Sequence, residues 1–209
     1  MGNRSISSVL LSATLALAAA HAWGGAAFSS VSPVDPFPVE GGPTDGVFAY
    51  DDGSAFWLIW DGTSRGVWFD LEDFVPGACA AEVDSLEFWF YHNSSFPWDT
   101  ASFLAEVYSG DEGGPATLIA QVSVPAEHYA PCYAVFDPPL EVPVDFWVVV
   151  NTEMSGGGWP SLLMDDGPNF TGAQHSFPLG DMGDYLIRVR GDALSGLSRS
   201  TWGRLKTLF

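Results

Sequence analysis

Two short acidic turns carry the residue types best suited to binding a metal ion. Asp51 and Asp52 stand directly before a glycine, and Asp165 and Asp166 do the same further along the chain. Calcium prefers carboxylate and turn carbonyl oxygens, although the spacing here does not fit an EF-hand loop. The two turns therefore indicate a structural calcium site, and ordinary Asx turns in a very acidic chain are the competing interpretation.

Two tryptophans fall in segments that lack strand patterning. Trp98 lies in SSFPWDT and Trp159 in SGGGWP, while Asp99 and Asn169 occupy neighbouring turn segments. An exposed aromatic ring offers a flat apolar face to a ligand, and the two polar side chains offer hydrogen bonds. These four residues form the predicted glycan-binding set. The alternative is that the loop rings fold back over the edge of a sheet.

The sequence contains no recognisable catalytic motif. GxSxG and HExxH are both missing, and Ser176 directly follows His175, so the two side chains would point to opposite faces of a strand. A pair of carboxylates is enough for glycoside hydrolysis, and the many acidic residues leave that chemistry open. We therefore predict a non-enzymatic protein, with a small secreted glycan hydrolase as the alternative.

Cys79 and Cys132 are the two cysteines of the chain. An even number of cysteines in an exported protein favours a disulfide bond between them. Two separate thiols are the competing interpretation. The spacing matches no zinc-binding or haem-attachment pattern.

Charge is strongly partitioned along the chain. All 26 acidic residues lie between Asp35 and Asp192, and only Arg65, Arg188 and Arg190 are basic in that stretch. Such a surface repels nucleic acid and anionic lipid, so neither is an expected partner of this region. Arg188 and Arg190 alternate on one predicted strand, and we expect both to pair with nearby aspartates.

The N-terminus has the features of a secretory signal peptide. It starts with a positive charge at Arg4, continues with the apolar run from Val9 to Ala20, and ends with the small-x-small site AHA. The run is too short to span a membrane. We assign residues 1–22 to the signal peptide and predict a secreted or cell-surface protein with no transmembrane segment in the mature chain.

Short apolar runs separated by turns fill the region from Val47 to Gly191. SAFWLIW, AEVDSLEFWFY and FLAEVY alternate with a period of two and are rich in aromatic and β-branched residues. Eight or nine such strands without intervening helices predict an all-β, antiparallel two-sheet β-sandwich of jelly-roll or immunoglobulin-like type, in one domain. A closed barrel is the structural alternative. Residues 23–46 read as an extended Gly-, Pro- and Ser-rich leader with room for one edge strand, and 192–209 as a linker and tail.

Three stretches resemble the β-sandwich modules of large secreted bacterial proteins. They are GVWFDLEDFVPGACAAEVDSLEFWFY, FLAEVYSGDEGGPATLIAQVSVP and DYLIRVRG. The tail, STWGRLKTLF, is similar to short C-terminal segments of exported proteins in some uncultured bacterial lineages. That resemblance implies a sorting or anchoring role for Trp202, Arg204 and Lys206, read by a sorting machinery.

Together these features predict a secreted, non-catalytic protein of cell-surface structure or adhesion. Binding of a glycan or another surface polymer is its most specific form.

Overall fold

The structure is a computed structural model, and it describes residues 31–33, 46–58, 63–91, 102–155, 161–165, 175–179 and 183–195. Twelve strands lie in these ranges: β1 Val31–Pro33, β2 Val47–Phe48, β3 Phe56–Leu58, β4 Ser64–Asp70, β5 Ala78–Tyr91, β6 Ser102–Asp111, β7 Gly114–Pro125, β8 Pro131–Pro143, β9 Asp145–Asn151, β10 Ser161–Leu162, β11 Ser176–Phe177 and β12 Ile187–Ser195. Two short 3-10 helices, Leu71–Asp73 and Glu153–Ser155, follow β4 and β9.

The period-two patterns of the sequence produce strands with one apolar face. Along β5, Leu86, Phe88 and Phe90 are fully buried in the core, and the alternating side chains Glu87 and Trp89 point to the outer face. The same alternation appears along β9, where every second residue faces the core. A strand places successive side chains on opposite faces, so the sequence pattern fixes which side of each sheet is buried.

The strands form two five-stranded antiparallel sheets and one short pair. The first sheet has the order β10-β5-β12-β2, and β8 also pairs with β5, along the edge opposite β12. The second sheet has the order β11-β4-β9-β6-β7. The short pair joins β1 to β3. The predicted antiparallel two-sheet β-sandwich is confirmed, and within the described residues the strand pairing divides into separate sheets rather than one closed barrel.

Aromatic side chains fill the space between the two sheets. Phe88 of the first sheet meets Phe103 of the second edge-on, with ring centroids 5.2 Å apart, and Phe69 stacks on Phe146 at 5.4 Å. Each fully buried side chain of this kind contributes about 1.5–3 kcal/mol relative to exposure. This shared core holds the two outer faces in fixed positions.

The strand boundaries differ from the sequence pattern in two places. The stretch DPP, whose composition is typical of a turn, lies inside β8, where the Asp137–Pro138 peptide bond is cis. Because β8 is an edge strand, a proline there costs no ladder hydrogen bond on the open side. β12 continues to Ser195, four residues beyond the predicted end of the domain. β1 lies within the predicted leader, where one edge strand is expected. The very short strands β10 and β11 have no sequence signal of their own.

The predicted disulfide bond is wrong, because both cysteines are unbonded thiols. Cys132 on β8 pairs with Phe88 on β5, whereas Cys79 lies nine residues before Phe88 on the same strand. At about 3.3 Å per residue the two cysteines are roughly 30 Å apart, and a disulfide needs Cα atoms within about 7 Å. Cys79 is exposed and Cys132 is buried.

Among the residues that the structure describes, no helix has the length and apolar character needed to cross a membrane.

Candidate functional site

The two predicted acidic turns meet in space. Asp51 and Asp52 follow β2, and Asp165 follows β10. The backbone N–H of Asp52 donates to Asp165 Oδ2 at 3.0 Å, and the N–H of Asp184 donates to Asp165 Oδ1 at 2.6 Å. Residues more than a hundred positions apart therefore form one acidic cluster. Asp166, the fourth predicted ligand, lies outside the described residues.

The positive charge in this cluster comes from an arginine side chain. Arg188 donates from Nη2 to Asp51 Oδ1 at 2.8 Å and from Nε to Asp51 Oδ2 at 3.1 Å, and both side chains are buried. In the described part of the chain, no group of three or more His, Cys, Asp or Glu side chains is placed to hold a metal ion. The structural calcium site therefore stays a prediction, without a complete ligand set in this region.

Burial makes the acidic cluster unusual electrostatically. Desolvation raises the pKa of Asp165 to about 7, although the N–H groups of Asp184 and Asp52 oppose the shift. Desolvation also raises the pKa of Asp184, against the hydrogen bond that Ser176 donates to it at 2.8 Å. Asp165 is only 2% exposed. These carboxyl groups are therefore easier to protonate than ordinary aspartates.

The ion pairs continue from Arg188 outward across the first sheet. Glu87 Oε1 accepts from Arg188 Nη1 at 3.2 Å, and Glu87 Oε2 accepts from Arg190 Nη2 at 2.6 Å. The indole N–H of Trp89 also donates to Glu87 Oε1, at 2.7 Å. Burial alone would raise the pKa of Glu87, but these hydrogen bonds and the two guanidinium charges hold it below its usual value. Pairing of both arginines with acids is confirmed, although the partner of Arg190 is a glutamate.

Beside this ion-pair chain lies a group of aromatic side chains, which we call the aromatic patch. The ring of Tyr91 contacts His128 at 5.1 Å and Tyr129 at 5.9 Å between centroids. Tyr133 stands opposite Glu87 across the β5–β8 ladder and is 45% exposed. The patch consists of Trp89, Tyr91, His128, Tyr129 and Tyr133.

The patch has a firm base and one strained residue. Trp89 and Tyr91 are half-buried and pack against a small apolar cluster formed by Ala55, Leu163 and Leu186. Tyr129 has a φ of 58°, a left-handed conformation that costs a non-glycine residue about 1–3 kcal/mol. Its N–H donates to Phe90 O at 2.9 Å, which holds the turn against β5. The rings are thus held in place by the sheet rather than by a long loop.

The predicted glycan-binding residues Trp98, Asp99, Trp159 and Asn169 lie outside the described residues, as do the tail residues Trp202, Arg204 and Lys206. Tyr91 and Ser161, which are described, are paired in the first sheet.

Sequence reasoning missed the patch because it assigned strand aromatics to the core. Glu87 shares a face with Trp89 and Tyr91, and a charged residue in that series indicates that the face is not core. The exposed position of Tyr133 had no comparable signal, because its strand alternates weakly.

His175 and Ser176, the adjacent pair in the sequence, have separate partners. His175 is stacked between Tyr50 and Trp68, with ring centroids 3.7 Å and 5.4 Å away. Ser176 donates to Asp184 and accepts from the backbone N–H of Tyr185. The two side chains do not form a nucleophile–base pair with each other.

Comparison with models of protein families, with curated proteins and with solved structures finds no match to this chain.

Proposed function

We propose that this protein is a secreted, non-catalytic glycan-binding module of cell-surface structure or adhesion, and that the aromatic patch is its binding surface. The observation that carries the proposal is the cluster of partly exposed rings on β5, on its neighbour β8 and in the turn that precedes β8. Ring faces stack on the apolar faces of sugars, while phenol and indole groups supply polar edges. A rigid sheet base reduces the ordering cost of binding.

Charge favours a neutral glycan over an anionic one. The chain has a formal net charge of −19, and Arg188 and Arg190, the described cations on the sheet that carries the patch, are already paired with acids. An acidic polymer would meet repulsion, and no unpaired arginine among the described residues of this sheet would offset it. Hydroxyl-rich neutral sugars carry no such penalty.

The test is a glycan array with the purified mature protein, followed by titration of the best neutral ligand. Tyr133→Ala should weaken binding at least tenfold, because it removes an exposed ring from the patch. Leu118→Ala is the matched control, since Leu118 is similarly exposed, at 47%, but lies on the second sheet. Equal binding by the two variants, or no neutral ligand on the array, would contradict the proposal.

A small glycan hydrolase is the second candidate, and one observation favours it. Asp165, with a pKa of about 7, has the protonation behaviour of a general acid, and Asp184 lies beside it. Their near-complete burial opposes this role, because a sugar must reach both carboxyl groups. Release of reducing ends by the wild type, lost in Asp165→Asn and Asp184→Asn but kept in Tyr133→Ala, would support the hydrolase over the binding module.

The proposal for location rests on the two ends of the chain. We propose that residues 1–22 direct export and that the basic tail with Trp202, Arg204 and Lys206 directs sorting or anchoring. A chain ending at Leu197 should keep the melting temperature of the full chain but change its distribution on cell fractionation. An unchanged distribution would exclude a sorting role, and a large fall in melting temperature would show that the tail stabilises the fold.

A further inference from the structure

A second buried glutamate lies on the outer face of the other sheet. Glu106 on β6 is 3% exposed, and three neutral side chains donate to its carboxylate. Tyr108 Oη donates to Oε2 at 2.8 Å, Gln121 Nε2 to Oε1 at 2.7 Å, and Asn151 Nδ2 to Oε1 at 3.1 Å. We call these four residues the Glu106 cluster.

The Glu106 cluster holds a carboxylate without a counter-ion from the described residues. Those residues contain three arginines and no lysine. Arg188 and Arg190 bind Asp51 and Glu87 on the first sheet, and Arg65 pairs across the second sheet with the core residue Val150. Arg65 therefore points inward, away from the face that carries Glu106.

Charge at Glu106 also affects its neighbour. The pKa of Tyr108 is raised, first by desolvation and then by its hydrogen bond to Glu106 and by the charge of that carboxylate. The phenol therefore stays protonated and remains a donor to Oε2. Oε1 accepts from the Gln121 and Asn151 amides, so departure of the Gln121 amide leaves Oε1 able to accept from another donor, since an ionised carboxylate can accept about four hydrogen bonds.

The cluster is open to solvent on one side. Gln121 on the edge strand β7 is exposed, and Leu118, opposite Tyr108 in the β6–β7 ladder, is 47% exposed. An exposed glutamine amide that leaves the carboxylate regains water as its partner. Gln121 is therefore a donor that a ligand can replace at low cost.

From this geometry we infer that the Glu106 cluster binds a primary ammonium group, carried by an amino sugar or by a simple alkylamine. The ammonium takes the place of the Gln121 amide and donates to Glu106, next to the ring of Tyr108. An ammonium brings a full positive charge to the carboxylate, which the neutral Gln121 amide does not, and an aromatic ring beside the cation adds attraction. No described cation competes for the carboxylate.

Titration calorimetry tests the inference in the Tyr133→Ala background, which removes an exposed ring of the aromatic patch and so reduces its contribution to the measurement. The probes are glucosamine, cadaverine and uncharged N-acetylglucosamine at about pH 6, where amines are protonated. Both amines should bind and N-acetylglucosamine should not. Tighter binding of glucosamine assigns the site to amino sugars, and tighter binding of cadaverine assigns it to alkylamines. Equal binding of glucosamine and N-acetylglucosamine, or no binding of either amine, overturns the inference.

Two lysine variants supply an internal control. Gln121→Lys places an ammonium beside Glu106 from within the chain, whereas Ser123→Lys adds the same charge two residues away on the same exposed face of β7. Gln121→Lys should lose amine binding at least tenfold and melt about 2–4 °C above Ser123→Lys. If both variants bind and melt alike, the cluster is not an ammonium site. This result does not depend on the aromatic patch, so it leaves the glycan proposal untouched.

Discussion

Glu87 and Glu106 occupy equivalent places on opposite sides of the sandwich. Each lies on the outer face of its sheet, is 2–3% exposed, and accepts a hydrogen bond from an aromatic residue two positions later, Trp89 or Tyr108. They differ in charge compensation. Two arginines neutralise Glu87, whereas Glu106 has three neutral donors.

Basic residues are few in this chain. The described arginine pairs stabilise the acids on one sheet, and we infer that the carboxylate on the other sheet is available to bind an external cation. The chain has seven basic residues against 26 acidic ones, and two of the three described arginines serve the group of acids around Glu87. That group is complete within the protein and supports the aromatic patch. Glu106 is hydrogen-bonded but has no counter-ion among the described residues, so we infer that an external cation gains more there.

The largest expected effect comes from removing an arginine that pairs with the buried acids around Glu87. Arg188→Ala should lower the free energy of unfolding by about 3–5 kcal/mol, because it leaves Asp51 and Glu87 buried with one fewer cation. Chemical denaturation measures the change. Arg190→Ala is the matched control: its side chain is 33% exposed and Glu87 keeps Arg188, so the loss should be clearly smaller. Equal losses would show that burial does not decide the value of these pairs.

The same comparison shows what the sequence predicts and what it does not. The period-two runs predicted the β-sandwich because burial on one face of a strand leaves a local pattern. The pairing of Arg188 and Arg190 with acids also followed from the acidic composition of the chain. The meeting of Asp52 with Asp165 did not, because it depends on where β2 and β10 lie in the folded sheet.

Long-range register explains the remaining errors and omissions. The disulfide prediction counted cysteines, but bond formation depends on the β5–β8 register, which places Cys132 opposite Phe88 and far from Cys79. The Glu106 cluster joins β6, β7 and β9, and no spacing in the sequence indicates that Gln121 and Asn151 meet one carboxylate. The predicted glycan-binding roles of Trp98 and Trp159 stay predictions.

The next largest effect is expected in the Glu106 cluster. Tyr108→Phe should cost about 1.5–3 kcal/mol of unfolding free energy, the usual value for a hydrogen bond to a charged group. A double-mutant cycle with Glu106→Gln checks the cause, since the cost should shrink when the carboxylate is neutral. Additive costs would mean that the phenol stabilises the protein independently of Glu106.

A smaller effect should appear in the pH dependence of the acidic cluster beside Arg188. The folded pKa of Asp165, about 7, lies above its unfolded value, so folding favours the protonated form. Its favourable contribution is complete below about pH 4 and is lost as the pH rises to about 7. Unfolding free energy should therefore fall with rising pH more steeply in wild type than in Asp165→Asn, by at most about 1.4 kcal/mol per pH unit. Identical slopes would show that Asp165 titrates normally.

The smallest expected effect is that of a reducing agent. This experiment tests whether a disulfide bond adds to the stability of the first sheet, which would complicate the comparison between the two sheets. Both cysteines lie in the first sheet, on β5 and β8, so a covalent bond there would add stability to the side that carries Glu87. The melting temperature should be the same with and without reductant. In the native protein a thiol reagent should modify exposed Cys79, while buried Cys132, whose pKa burial raises to about 11, should react only after unfolding. A lower melting temperature in reductant would mean that a disulfide contributes, and the extra cost of Arg188→Ala could then no longer be assigned to ion pairs alone.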